Sequence, residues 1–156
     1  MSTPTVFIEV ADIVAQLNAT GPDNNNNYTV YGLTLAQASI QAHVDYANSY
    51  ISALTASPLT TTDPRYPMAV QAAKDLACIR VLVVSMGGSI TGAFDYFLGD
   101  LRVSRAGPYA TAIKNTIQGF EEDLKRMLVN VATVAAAADA QQASNVPTYR
   151  GGLISP

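Results

Sequence analysis

The segment from Met68 to Met86 constrains the fold more than any other part of this 156-residue chain. It is apolar almost all round between Leu76 and Val84, which is typical of a helix at the centre of a protein. Pro67 can occupy the first helical turn, where its missing N–H costs nothing, and Gly87-Gly88 offers the usual termination. We therefore expect a buried helix against which the rest of the chain packs.

Three charged residues in this segment, Lys74, Asp75 and Arg80, argue against a membrane span, because each would cost about 3 kcal/mol at a bilayer centre. Arg80 is the anomaly in an otherwise apolar stretch. It can be interpreted as a side chain that reaches the surface or pairs with a carboxylate at a subunit or domain boundary. The alternative is a functional contact with an anion.

A second, amphipathic helix is predicted before it. Thr34 begins this helix with Gln37 three residues later, a weak capping box. The helix ends before Ser57-Pro58, because the residue preceding proline resists helical geometry. Its apolar stripe is Ile40, Val44, Ala47, Ile51 and Leu54, and its other faces carry Gln41, Asp45, Asn48 and Ser52.

A third helix is predicted from Tyr109 to about Ala140, opened by Pro108. Its roughly 32 residues would span about 48 Å, against about 30 Å for the central helix. The far end, Val131–Ala138, would then extend beyond its own domain as a neutral, sticky surface. It either packs on a neighbouring chain or folds back and frays. The apolar stripe is Ile113, Ile117, Phe120, Leu124, Leu128 and Val131.

The remaining segments are predicted to be short or irregular. Residues 5–10 have the composition of a strand, whereas Ala11–Asn18 predicts a short helix. Residues 21–32 are predicted to be a loop, because Gly, Pro and Asn favour turns. Residues 93–105, inside a connection from 89 to 107, alternate partly with period two and predict a short hairpin or an extended loop.

These elements predict an all-α fold: a small helical bundle with one long C-terminal helix, a short hairpin or extended loop, and an extended C-terminal tail. The bundle would occupy residues 1–140 as one domain, and the tail residues 141–156. The start of the chain lacks a basic region and carries Glu9 and Asp12, so we do not expect a signal peptide.

The charge content favours protein partners over nucleic acid. Charged residues make up only 13% of the chain, about half the usual share, so much of the surface must be neutral or covered. The net charge is −3 and only nine Lys and Arg residues are present, which argues against a protein whose main role is to grip phosphate backbones.

No catalytic, metal-binding or cofactor-binding residues are predicted. His43 is the only histidine, which rules out paired-histidine metal motifs, and Cys78 is the only cysteine, which excludes a disulfide within the chain. Cys78 lies in the apolar segment and should behave as a small hydrophobe. Residues 121–123 are consecutive carboxylates that point in different directions around a helix, so they cannot act as an acid and base pair.

A mixed-charge patch is the clearest candidate interface. Arg102 and Arg105 lie close in sequence to Asp95 and Asp100. Aromatic residues frame the patch, and aromatics with Arg are enriched at protein interfaces, where charges set the register. The aromatic residues are Phe94, Tyr96 and Phe97.

The chain resembles the head–tail connector, or adaptor, proteins of tailed bacteriophages. The resemblance covers about two-thirds of the chain. It rests on a helix ending in Asp45-Tyr46-Ala47-Asn48-Ser49-Tyr50-Ile51, a loop with Arg65-Tyr66-Pro67, a hydrophobic helix, and the segment Phe94-Asp95-Tyr96-Phe97-Leu98-Gly99-Asp100-Leu101-Arg102-Val103. The Asn-rich insert and the alanine-rich end depart from the family pattern.

The resemblance implies a structural, non-enzymatic virion protein that forms a ring, commonly of twelve copies, in the neck between head and tail. Its partners would be other copies of itself, the portal protein and a downstream neck or tail-completion protein. Double-stranded DNA would pass through the lumen without being read, and no membrane is involved. The chain would reside in the host cytoplasm during assembly.

The residues expected to contact neighbouring subunits or the portal lie in two segments. They are Phe94, Tyr96, Leu98, Asp100, Arg102 and Arg105 in the first, and Tyr149, Arg150, Leu153 and Ile154 in the tail. A small cytoplasmic helical module that binds or regulates a host protein is the alternative function, because fold-level analogy does not exclude it.

Overall fold

The structure is a computed structural model. It describes the backbone of residues 5–55, 58–86, 89–91, 95–97 and 107–143, and side chains within 5–55, 58–86, 108–109 and 111–131. Four helices dominate: α1 (Val10–Gln16), α2 (Gln37–Leu54), α3 (Tyr66–Ser85) and α4 (Ala110–Ala143). Two antiparallel strand pairs accompany them, β1 (Asn27–Val30) with β2 (Leu33–Ala36) and β3 (Ser89–Thr91) with β4 (Asp95–Phe97).

The predicted central helix is confirmed as α3. It packs against α1, α2 and α4, most extensively against α4. Leu76, Ile79 and Leu82 are completely or almost completely buried, and burial of each contributes about 2 kcal/mol. Among the described residues, no helix combines the length and apolarity that crossing a bilayer requires.

The apolar stripe of α2 is confirmed, but its predicted start is wrong. Thr34 lies in β2, and α2 begins at Gln37 after Ala36, whose side chain cannot cap it. Leu33 and Leu35 are buried while Thr34 and Ala36 are exposed. This period-two burial is that of a half-buried strand, so the capping box does not form.

The β1–β2 hairpin corrects the all-α prediction to a mainly α fold, and residues 27–30 of the predicted loop are a strand. Val30 pairs with Leu33 across the two-residue turn Tyr31-Gly32. Both turn residues have positive φ, 50° and 72°, as a type I′ turn requires. The polar run before β1 hid this strand, because Asn is typical of turns.

The loop that precedes β1 is ordered by one side chain. The Asp23 carboxylate accepts hydrogen bonds from the backbone N–H groups of Asn25 and Asn27, both at 2.8 Å. These donors hold the pKa of Asp23 below its ordinary value. The Asn-rich segment is therefore an Asx-type turn that leads directly into the hairpin.

Strands β3 and β4 form a second hairpin, with Ile90 paired to Tyr96. Strand β4 lies within the segment predicted to be a hairpin or an extended loop, whereas β3 precedes that segment. Residues 92–94 and 98–106 of this connection lie outside the described part of the chain.

The long C-terminal helix is confirmed as α4, which follows a 3₁₀ turn at Gly107–Tyr109. Its predicted stripe is buried at Ile113, Ile117, Leu124 and Val131, with Phe120 and Leu128 half-buried. At 34 residues it spans about 51 Å, while the 20 residues of α3 span about 30 Å. Helix α4 is therefore about 21 Å longer than α3. The helix also includes residues 141–143, which were predicted to belong to the tail.

Candidate interaction surfaces

The N-terminal residues 5–9 are extended and lie along α2, where two side chains hold them. Asn48 Oδ1 accepts from the N–H groups of Phe7 and Ile8 at 2.9 and 3.1 Å, and Asn48 Nδ2 donates to the Ile8 carbonyl at 3.0 Å. Ser52 Oγ accepts from the N–H of Thr5 at 3.2 Å. Asn48 is buried, so its predicted place on a face away from the core is wrong. Helical periodicity gave no sign of this contact, because the bonded segment lies about 40 residues away.

The extended segment and the first half of α2 border an open groove of about 360 Å³. A neighbouring hollow of about 470 Å³ shares Gln37 and Gln41 with it. Side-chain amides dominate the shared rim, and Gln41 Nε2 donates to Asp45 at 2.8 Å. Val6 on the rim is 63% exposed. The amides of such a surface can hydrogen-bond to the backbone of a protein partner. The two carboxylates that line the groove, Glu9 and Asp45, are exposed.

A second surface feature joins α2 to α3. The Arg80 guanidinium lies over the Tyr46 ring, 3.7 Å from its centroid. Tyr46 in turn stacks on Tyr50, with the ring planes 12° apart. A cation over an aromatic face is stabilised by the ring quadrupole, so this arrangement explains how a charged residue is accommodated on α3. Arg80 is half-buried, and burial lowers its pKa from the ordinary value.

His43 lies in the same region of α2 and is half-buried. Burial lowers the pKa of the imidazole, and the positive charge of Arg80 lowers it further. The histidine is therefore neutral at physiological pH. The Cys78 thiol is completely buried in α3, and burial raises its pKa. A nucleophilic thiol must be ionised and accessible, so these two residues do not form a catalytic pair.

The burial of Asp75 is, like that of Asn48, a feature that the sequence analysis did not predict. Its side chain is completely buried in α3, and burial raises its pKa to about 6. Its position in the apolar segment was the sequence signal of this burial. Among the described residues, no group of three or more His, Cys, Asp or Glu side chains is placed to hold a metal ion.

The predicted subunit and portal contacts stay predictions. The Tyr96 backbone lies in β4, but its side chain is outside the described part of the structure. The other residues predicted for this interface lie outside the described residues altogether. They are Phe94, Leu98, Asp100, Arg102, Arg105, Tyr149, Arg150, Leu153 and Ile154.

Comparison of the chain with protein-family models, curated protein sequences and solved structures finds no match.

Proposed function

We propose that this protein is a structural, non-enzymatic subunit of a multimeric ring in the neck of a tailed bacteriophage, between the portal and the tail. Twelve copies are the expected number, and DNA would pass through the lumen. The proposal combines the resemblance of the sequence to head–tail connectors with the arrangement of the helices.

The excess length of α4 carries the proposal. A helix about 21 Å longer than its main packing partner cannot be stabilised along its whole length by that partner, and most helical stability in proteins comes from tertiary packing. Val129, near the end of the described side chains, is 64% exposed. Contact with a neighbouring subunit would bury this part of the helix, as a ring requires.

The surface composition also supports an assembly role. Only 13% of the residues are charged, and the net charge of −3 suits a channel that must let DNA slide without holding it. The stacked Tyr50, Tyr46 and Arg80 side chains are of the types that protein interfaces favour.

A closed ring needs two different surfaces on each subunit, because each copy contacts one neighbour on either side. We assign these two surfaces to the segment 93–105 and to the tail 144–156, since residues 141–143 belong to α4. The first offers aromatic and arginine residues, and the second offers apolar anchors at Leu153 and Ile154.

Quantitative peptide mass spectrometry of gradient-purified, complete tailed particles tests the proposal. We expect the chain to be present at about the copy number of the portal protein. Its absence from such particles would overturn the neck assignment. The cytoplasmic binding module would then be the better interpretation, with the amide-lined groove along α2 as its binding surface.

A further inference from the structure

Asp75 occupies an unusual environment on the face of α3 that is buried in the bundle. Gln71 Nε2 donates to its Oδ1 atom at 2.8 Å. The Oδ2 atom is also buried, and it has no hydrogen-bond partner among the described residues. A buried carboxylate with a single donor is strongly disfavoured when ionised, whereas a protonated carboxyl tolerates the same site.

The charges around Asp75 come from three helices. Asp123 of α4 disfavours the ionised form, although Arg126 of the same helix contacts Asp123 at 3.1 Å. Lys74 of α3 favours the ionised form, but its ammonium group is 3.7 Å from Asp12 of α1.

The other titratable groups near α3 do not reverse the preference of Asp75 for its protonated form. Cys78, one turn further along α3, is buried and neutral. On α2, the charge of Arg80 acts on His43, and Asp45 is exposed. Neither His43 nor Asp45 is among the groups that shift the pKa of Asp75. Tyr31 of the hairpin turn hydrogen-bonds Thr116 of α4 instead.

We propose that Asp75 is a proton-operated latch between α3 and α4: the protonated carboxyl keeps the two helices packed, and its ionisation favours separation of α4 from the bundle. The helix that the latch releases is the longest in the described part of the chain, and it packs mainly against α3. The latch is a property of the monomer and does not depend on the proposed place in the virion neck.

The direction of the effect follows from proton linkage. The pKa of Asp75 is about 6 in the closed bundle and returns to its ordinary value of 3.8 when opening exposes the side chain to water. The closed state therefore binds more protons between these values, so opening becomes more favourable as the pH rises through this window. The opening equilibrium increases about 40-fold from pH 3.8 to pH 6, and about tenfold between pH 5 and pH 7.5.

Hydrogen–deuterium exchange of the full-length protein measures this opening. Protection factors of α4 peptides, corrected for intrinsic exchange, should fall about tenfold from pH 5 to pH 7.5 in the wild type. Asp75→Asn should remove that fall, because the amide does not titrate. An equal fall in wild type and Asp75→Asn would overturn the proposal.

The chain supplies a matched control in Asp45→Asn. Gln41 donates to Asp45 over the same four-residue spacing and at the same 2.8 Å as Gln71 donates to Asp75, but Asp45 is exposed. Asp45→Asn should keep the full pH dependence of α4 protection. Loss of that dependence in this variant would show that ionisation of Asp75 does not govern opening.

A titration of the wild type keeps the proposal testable if Asp75→Asn does not fold. In carbon-13 NMR of the aspartate carboxyl groups, the chemical shift of one group should change with pH with a midpoint near 6. If every aspartate titrates near or below 3.8, the latch does not exist.

Discussion

The side chain of Asn48 pairs with the backbone of Ile8 in both directions. Its Nδ2 atom donates to the Ile8 carbonyl at 3.0 Å, and its Oδ1 atom accepts from the Ile8 N–H at 3.1 Å. The same oxygen also accepts from the Phe7 N–H. One buried amide thus replaces the strand partner that the extended residues 5–9 would otherwise need, and it fixes them on α2.

Replacing Asn48 by alanine should destabilise the protein by about 2–4 kcal/mol, because three backbone groups would lose their partner in a buried site. Denaturant unfolding followed by circular dichroism measures the change. Asn115→Ala is the matched control, since Asn115 is exposed on α4 and its loss should change stability by less than about 0.5 kcal/mol. Equal stabilities of the two variants would show that the Asn48 contacts contribute nothing.

His43 is the only histidine of the chain, so its NMR titration reports on the environment of α2 without overlap from other imidazoles. Because burial and Arg80 lower the pKa of His43, its imidazole NMR signals should titrate below 6.5. Arg80→Gln should raise the midpoint without restoring 6.5, since burial is the larger cause. Titration at 6.5 or above in the wild type would contradict the described packing.

The lowered pKa also predicts a dependence of stability on pH. The folded state binds the His43 proton more weakly than the unfolded chain, so stability is lost as the pH falls from 6.5 through the folded-state pKa. His43→Gln should remove this component of the acid destabilisation measured by unfolding at several pH values. Asp75 works in the opposite direction, since its stabilising proton is lost as the pH rises.

Truncation tests the proposed role of the tail. Deleting residues 144–156 keeps α4 intact to its end at Ala143, so cooperative thermal unfolding should be retained while ring or portal assembly fails. Native mass spectrometry, with and without the portal protein, detects the assembly. Loss of cooperative unfolding would mean that the tail belongs to the core of the bundle.

Charge reversal tests the other proposed surface. Arg102→Glu with Arg105→Glu should impair assembly and leave the melting temperature unchanged, because a reversed charge opposes the register of a complementary interface. Lys114→Glu with Lys125→Glu on α4 changes the net charge equally and should still assemble. Normal ring formation by the first variant would place the interface elsewhere.

Sequence patterns predicted those parts of the fold that depend on neighbouring residues. The all-round apolar segment predicted α3, and the apolar stripes predicted α2 and α4, because the buried side chains of a helix recur with the helical period. The hairpin was missed because β1 lies in a segment whose Gly, Pro and Asn residues predict a loop, and because the spacing of Thr34 and Gln37 predicts a helix start within β2. The interface residues remain predictions, since a surface that awaits a partner leaves no periodic pattern.

Two glutamine–aspartate pairs show the limit of what sequence alone determines. Gln41 with Asp45 and Gln71 with Asp75 have the same spacing and the same 2.8 Å hydrogen bond, which helical geometry dictates. Only the tertiary structure makes one pair an exposed surface contact and the other a buried one. Packing of α3 against its neighbours removes water from Asp75 and raises its pKa to about 6, because desolvation depends on every element that surrounds the carboxyl and not on the helix that carries it.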